Sequence, residues 1–478
     1  MHKFIESIVV FIVPGLIVAN LCHAQDFNPA SQPDYKVQYF KPAGDSAFAG
    51  DPMPFYHDGT FHVFWLTDHN HAGRDHEWAH ISSTDLEHWT HYPIALPVDR
   101  PYEETMCTGS VIFHGGLYYA FYATRTAENG RTEYISYAIS KDGIHFEKQD
   151  PNRLITPAEE YETAHFRDPH VFYDKVSETF VMLITTALKQ ADLERNRYCL
   201  LSYTSTDLKN WKQKGPFYFT GNDDGFAYPE CPDLFKWHGY YYLLFKVNGG
   251  TYYRMSKNLW GPYLTPLEDN IGNDYALVFK TAAFKNDRRI AVGMVPWKAG
   301  NKDDGQWQYA GNLVFRELIQ RPDGTLKTEF VPEMQPEIKE VKLKNLQTDY
   351  RLNALDHFKY VTIEGVPADA HIKCRVVPEG LNSSTGMLLR YSDTGYYELK
   401  IDAKAEKVSL GNQTVDNIHG LDKPYTLEIN MTGNIIDVCI AGKRCLLNRA
   451  YEQRGGELLL FVHNGVVRFE GIEVALIK

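Results

Sequence analysis

Ser83-Thr84-Asp85-Leu86-Glu87-His88-Trp89 returns as Ser140-Lys141-Asp142-Gly143-Ile144-His145-Phe146 and again as Ser205-Thr206-Asp207-Leu208-Lys209-Asn210-Trp211. Ser256-Lys257-Asn258-Leu259-Trp260-Gly261-Pro262 reads as a degraded fourth copy. Each Ser-x-Asp turn follows short aromatic or aliphatic runs: Phe61–Trp65, Leu117–Tyr122, Phe180–Ile184 and Tyr240–Phe245. Such runs are strand signals, and three are entered through Gly-containing turns at Asp58-Gly59, Gly115-Gly116 and His238-Gly239. A period of roughly 50 to 65 residues suits one four-stranded blade with its loops. Four recognisable units and a fifth from about Tyr275 to Glu317 predict an all-β fold that opens with a five-bladed β-propeller. A sandwich would use the same strands but gives no reason for the turn to recur after successive clusters.

After Phe330 the pattern changes. Pro332, Pro336 and the charged stretch Glu337–Lys344 predict a linker or edge strand. Beyond it, His371–Val376, Tyr396–Ile401, Glu457–Val462 and Gly465–Val474 read as strands separated by Asn, Gly and Asp turns, which predicts a C-terminal β-sandwich. The expected division is a signal segment over 1–24, the propeller over 25–330, a linker over 331–344 and the sandwich over 345–478.

Lys3, the apolar run Ile8–Ala19 and Cys22-His23-Ala24 before Gln25 have the form of an export signal, which places the mature protein in a periplasmic or extracellular space. A lipoprotein reading at Cys22 has only Leu21 behind it, and no later stretch is apolar enough to insert in a bilayer. The formal net charge of −12 opposes nucleic acid and anionic membranes as partners. Aromatic residues, 14% of the chain, offer the apolar faces with polar edges that sugar rings also match. The six cysteines beyond the signal are scattered and carry no metal-ligand spacing. A turn at Gly442-Lys443 would pair Ile440 with Cys445, so Cys439 would not face Cys445.

Three carboxylates stand in unusual contexts: Asp51 in Gly50-Asp51-Pro52, Asp168 in Arg167-Asp168-Pro169, and Glu230 in Pro229-Glu230-Cys231-Pro232. Each lies just ahead of a strand cluster, where the innermost strands of a propeller would bring them to one channel. For any one acid beside proline a turn or cap is the plainer role. Three in register point instead to glycoside cleavage, which needs an acid for the leaving oxygen and a carboxylate to attack or to activate water. Arg167 is expected to lower the pKa of a neighbouring carboxylate, and Glu230, repelled by the other acids, to be raised toward general-acid use.

These residues resemble glycoside hydrolase family 32, the invertase, inulinase and levanase group. The resemblance rests on Gly50-Asp51-Pro52-Met53-Pro54, Trp78-Ala79-His80-Ile81-Ser82-Ser83-Thr84-Asp85-Leu86-Glu87-His88-Trp89, Cys107-Thr108-Gly109-Ser110, Arg167-Asp168-Pro169 and Glu230-Cys231. It implies a propeller followed by a sandwich, no metal or organic cofactor, and Asp51, Asp168 and Glu230 as nucleophile, transition-state stabiliser and acid/base. Thr108 and Arg167 are the matching substrate-binding positions, and Trp65 and Trp78, with Phe166, are candidates for stacking on a sugar. The chain departs from the family's pattern at Gly50, Met53 and Leu66, where the family has Asn, Asn and Gln, and at His69–His76, where a Trp usually closes the pocket. Asp68, His69, His71, Asp75 and His76 have the residue types of a metal site, but the loop reads more simply as a polar rim.

The expected function is a retaining, exo-acting hydrolase of furanosyl oligo- or polysaccharides, β-fructosides first. Another furanoside or pentoside such as an arabinoside, a sugar acceptor in place of water, and a carbohydrate-binding protein without turnover are the alternatives.

Overall fold

The computed structural model describes residues 37–126, 131–150, 153–221, 225–273, 275–380 and 384–478, without the side chains of 355 and 356. The expected export signal lies outside these residues. Strands dominate, and the first nineteen form five successive antiparallel units. The first is β1 (Ala47–His57), β2 (Thr60–His69), β3 (Trp78–Ser83) and β4 (Trp89–Leu96); the second is β5 (Thr105–His114), β6 (Leu117–Thr126), β7 (Thr132–Ser140) and β8 (Glu147–Lys148). The third is β9 (Arg167–Asp174), β10 (Thr179–Ala187), β11 (Tyr198–Ser205) and β12 (Lys212–Phe219); the fourth is β13 (Glu230–Trp237), β14 (Tyr240–Val247) and β15 (Gly250–Ser256). The fifth is β16 (Leu277–Phe284), β17 (Arg288–Lys298), β18 (Trp307–Gln320) and β19 (Leu326–Glu329), and it joins the first through the pair Ala49–Gly311.

The innermost strands β1, β5, β9, β13 and β16 touch in that cyclic order, so the ring is closed. Alternation along the strands fills the seams between blades. Phe61, Val63 and Trp65 of β2 pack with Phe284, Val292 and Phe315 of the fifth blade, whereas Phe64 and Leu66 pack with Met106, Ala120 and Tyr122 of the second. Period-two alternation thus serves two seams from one strand. Side chains tie the inner strands of neighbouring sheets: Ser110 donates to the Pro169 carbonyl at 3.0 Å and accepts the Val171 N–H, and Thr281 donates to Asp233 through its N–H and its hydroxyl.

The repeated turn has a local cause. Ser83 Oγ accepts the N–H groups of Asp85 and Leu86, and Asp85 Oδ1 those of Glu87 and His88. Ser140 with Asp142, and Ser205 with Asp207, repeat the pattern. In the fourth copy Ser256 Oγ takes the N–H of Asn258. The hairpins at Asp58-Gly59, Gly115-Gly116 and His238-Gly239 have positive φ at both central residues, the geometry that matches the twist of two-residue hairpins.

The remaining strands form the sandwich, built on a 21-residue strand Glu457–Ile477 that pairs with Tyr350–Glu364, Ala370–Pro378 and Ser384–Ser392. Part of the charged stretch, Ile338–Glu340, pairs with its end. One sequence expectation is corrected here. Cys439 is the direct cross-strand partner of Cys445, because the loop after Ile440 has three residues, with Gly442 at φ 72°, and shifts the register by one. Both thiols are buried and free.

Buried polar groups dock the sandwich onto the propeller. Arg449 donates to the carbonyls of Val295 and Pro296 and to Asn312 Oδ1, at 2.7, 3.0 and 2.7 Å. Asp437 accepts from Arg316 at 2.7 Å and from the Tyr39 hydroxyl at 2.6 Å.

Candidate active site

All five inner strands break register at the same level. Two residues stand against one at Gly50-Asp51 (β1), Cys107-Thr108 (β5), Asp168-Pro169 (β9), Cys231-Pro232 (β13) and Val278-Phe279 (β16). A bulge re-aims side chains that a regular strand would send into the seams. Asp168, Cys231 and Val278 hold left-handed φ values of 57°, 52° and 54°, a strain that non-glycine residues adopt only where the surroundings impose it. The bulges open onto one cavity of about 400 Å³, lined among others by Asp51, Cys107, Thr108, Arg167, Asp168, Glu230, Cys231 and Val278. The three acids, from three blades, therefore meet in one pocket.

Their partners differ. Thr108 Oγ1 donates to Asp51 Oδ2 at 2.5 Å. The Cys231 N–H donates to Asp168 Oδ2 at 3.0 Å, and the Cys231 thiol lies 3.6 Å from that oxygen and 3.7 Å from Asp51 Oδ2, bridging the two aspartates. Burial and the nearby carboxylates push the Cys231 pKa well up, so the thiol stays a hydrogen-bond donor. Glu230 is gripped at both oxygens, by Arg167 Nη2 at 2.7 Å and by Lys246 Nζ at 2.5 Å, its opposite-charge partner on β14. Glu133, with a fully buried side chain, anchors Arg167 at 3.1 Å together with Arg125 and Arg131.

These contacts reverse the expected electrostatics. Burial raises the Glu230 pKa, but Lys246 and Arg167 outweigh it and bring the group down to about 2. Asp168 is the carboxylate that rises, to about 7, through burial, against the lowering by Arg167 and helped by the charges of Glu230 and Asp51. The folded pKa lies above the ordinary 3.8, so the native state holds a proton that the unfolded chain has released. Stability therefore falls as pH rises from about 4 to about 7, by an amount on the order of 4 kcal/mol for this group. Asp168→Asn, which cannot ionise, should gain thermal stability relative to the wild type over that window. Parallel melting curves at pH 4 and pH 7 that keep a constant offset would contradict this.

The stacking candidates need correction. Trp65 is 4% exposed in the seam between the fifth and first blades, Trp78 is fully buried between the first and second with its Nε1 on the Cys107 carbonyl, and Phe166 is fully buried between the second and third. None of the three lines the pocket. The aromatic wall comes instead from Tyr275 and Trp307, stacked at 4.4 Å. Met53 is likewise core, its sulfur 3.1 Å from the Gly109 N–H, while Leu66, Leu277, Val278 and Met294 give the pocket an apolar side. Among the described residues no group of three His, Cys, Asp or Glu side chains is arranged to hold a metal ion. His76 and His71 of the histidine-rich loop sit 3.2 and 3.9 Å from Asp68.

Sequence reasoning missed Glu133, Lys246 and Tyr309. Glu133 left a trace, a charge on the same strand face as Ile135 and Tyr137, and Lys246 is the one charge in a strand of otherwise aromatic and aliphatic residues. Tyr309 gave no signal.

Residues 44–321 match the model of the glycosyl hydrolases family 32 N-terminal domain. The chain is 27% identical over 311 residues to a sucrose-6-phosphate hydrolase of Escherichia coli, a stretch covering 57% of this chain and 61% of that enzyme's own length, under two thirds of it. It is 25% identical over 461 residues to a sucrose-6-phosphate hydrolase of Vibrio alginolyticus, covering 90% and 89% of the two chains. The crystal structure of fructan 1-exohydrolase IIa from Cichorium intybus superposes with a TM-score of 0.71 at 17% identity, over 94% of this chain and 98% of that one. The chain belongs to glycoside hydrolase family 32.

Proposed function

We propose that the protein is a retaining β-fructosidase that removes fructosyl units from oligo- or polysaccharides. The observation that carries the reading is the meeting of Asp51, Asp168 and Glu230 in one pocket on three bulged strands. In this mechanism Asp51, oriented by Thr108, attacks the anomeric carbon while Glu230 protonates the departing oxygen. Asp168, whose pKa is pushed up to about 7, stabilises the positive charge that develops on the sugar once it has lost its proton, and that charge counts most in the transition state. Water, deprotonated by Glu230, then releases the sugar from Asp51. Lys246 and Arg167 keep Glu230 ionised, so its acid role requires an incoming sugar to part it from Lys246.

Two features favour the fructosidase reading: membership of the family, and relatives named for sucrose phosphate and fructan hydrolysis. The apolar side formed by Leu66, Val278 and Met294 favours a second reading, a pentofuranoside such as an arabinoside, which has fewer hydroxyls to satisfy. Incubation with sucrose, levan, inulin and arabinan decides between them. Free fructose, released first as the β-anomer, is the expected product. Arabinose without fructose would establish the second reading, and saccharide binding without hydrolysis, unaltered by Glu230→Gln, would leave a binding protein.

A further inference from the structure

Position 50, next to Asp51, has no side chain, and its space is filled from another blade. A Cβ on Gly50 would run into the Tyr309 hydroxyl. Tyr309 reaches this place because β18 is irregular: Pro296 pairs with Gly311 and Trp297 with Gln308, leaving Tyr309 and Ala310 outside the ladder. Ala310 takes φ 61° to accommodate the excursion. Tyr309 lines the pocket, yet its hydroxyl is buried and its proton has no acceptor among the described residues. Asp51 Oδ1 is equally buried and has no donor among them. After burial itself, the charge of Asp51 is the main influence holding the phenol pKa well above its usual value. A buried donor and a buried acceptor, each without its counterpart, thus line one pocket, close enough for the charge of Asp51 to act on the phenol.

The histidine-rich loop forms the seat of this tyrosine. His71 Nδ1 is 2.6 Å from the Tyr309 carbonyl oxygen, and the His76 ring stacks on the Tyr309 ring at 5.2 Å and 24°. Asp68, itself 1% exposed, faces both histidines and accepts the Gly73 N–H at 3.2 Å. His71 and His76, backed by Asp68, are the loop's contacts to Tyr309.

We propose that Tyr309 is a positioning residue for Asp51: a small rotation places its hydroxyl proton on Oδ1 while Thr108 holds Oδ2, and the Asp68–His76 loop keeps the ring in place. The proposal deepens the glycosidase reading and rests on it. With both oxygens held, the carboxylate plane is fixed toward the anomeric carbon, and the sugar edge nearest the nucleophile meets a phenol ring and Leu66 in place of side-chain amides.

Tyr309→Phe keeps the ring and removes the hydroxyl. On an activated aryl β-fructofuranoside it should lower kcat by about tenfold to a hundredfold, the range for one hydrogen bond to a charged group, with KM and melting temperature unchanged. An unchanged kcat overturns the proposal, as does a raised KM with kcat intact. A stability cycle that needs no turnover accompanies the kinetics. Gly50→Ala should melt several degrees low, and Tyr309→Ala in the same chain should recover part of the loss; strictly additive losses overturn the steric half. Failure of the glycosidase reading shows separately, as a wild type that cleaves neither fructosides nor arabinosides.

Discussion

Asp51→Asn should lower turnover of every substrate by about 10⁴-fold or more, roughly 5 to 6 kcal/mol of lost transition-state stabilisation. The amide cannot form the glycosyl ester, and the Thr108 contact that now orients a charge at 2.5 Å would orient a neutral group. Glu230→Gln should behave differently. Its loss should be large on natural sugars, whose leaving oxygen needs a proton, and much smaller on activated aryl glycosides, which leave without one. Burst kinetics and intact-protein mass after quenching measure both effects. A covalent sugar trapped on any residue other than Asp51, or equal losses for Glu230→Gln on both substrate types, would defeat the assignment. The neutral amide also frees Lys246 and Arg167 from their present partner, so melting curves must accompany the kinetics to separate chemistry from stability.

The second large effect lies far from the acids. Asp437→Ala should destabilise the protein by about 3–5 kcal/mol, because Arg316, with a side chain 3% exposed, would keep its charge in a buried interface without this counterion. The melting temperature should drop by about 3–5 °C. Arg316→Met in the same chain should recover much of it, since removing both charges is far less costly than removing one. A single variant that melts like the wild type would show that the contact between the two parts of the chain does not depend on this pair. The interface also reaches the pocket: Arg449 of the sandwich bonds the carbonyl of Pro296, which lines the cavity, so the sandwich braces the wall that carries Tyr309. Its removal is expected to cost folding and activity together.

The sequence alone carried the propeller and the sandwich, because both depend on local chemistry. The Ser-x-Asp turns are made by side chains bonding backbone a few residues away, and the two-residue hairpins need glycine or a small polar residue at positive φ. The three acids were legible for a related reason, since each sits beside proline where a strand must break. Tertiary structure alone decided what each large side chain does. Trp65 and Trp78 have the chemistry of sugar platforms, but alternation on β2 and β3 points them into seams whose other halves come from different blades. The charge states were equally out of reach. Lys246 and Arg167 converge on Glu230 from two blades, while at Asp168 burial and like charges outweigh Arg167 and the Cys231 N–H, and this geometry inverts the order of pKa values that the bare motifs suggest. The histidine-rich loop shows the same limit. Its composition permits a metal site or a polar rim, and only its contact with Tyr309, more than 200 residues away along the chain, gives it a task. Local sequence fixes turns and strand breaks because their partners are near in the chain; packing faces, ionisation and the seat of a tyrosine depend on partners that only the closed ring brings together.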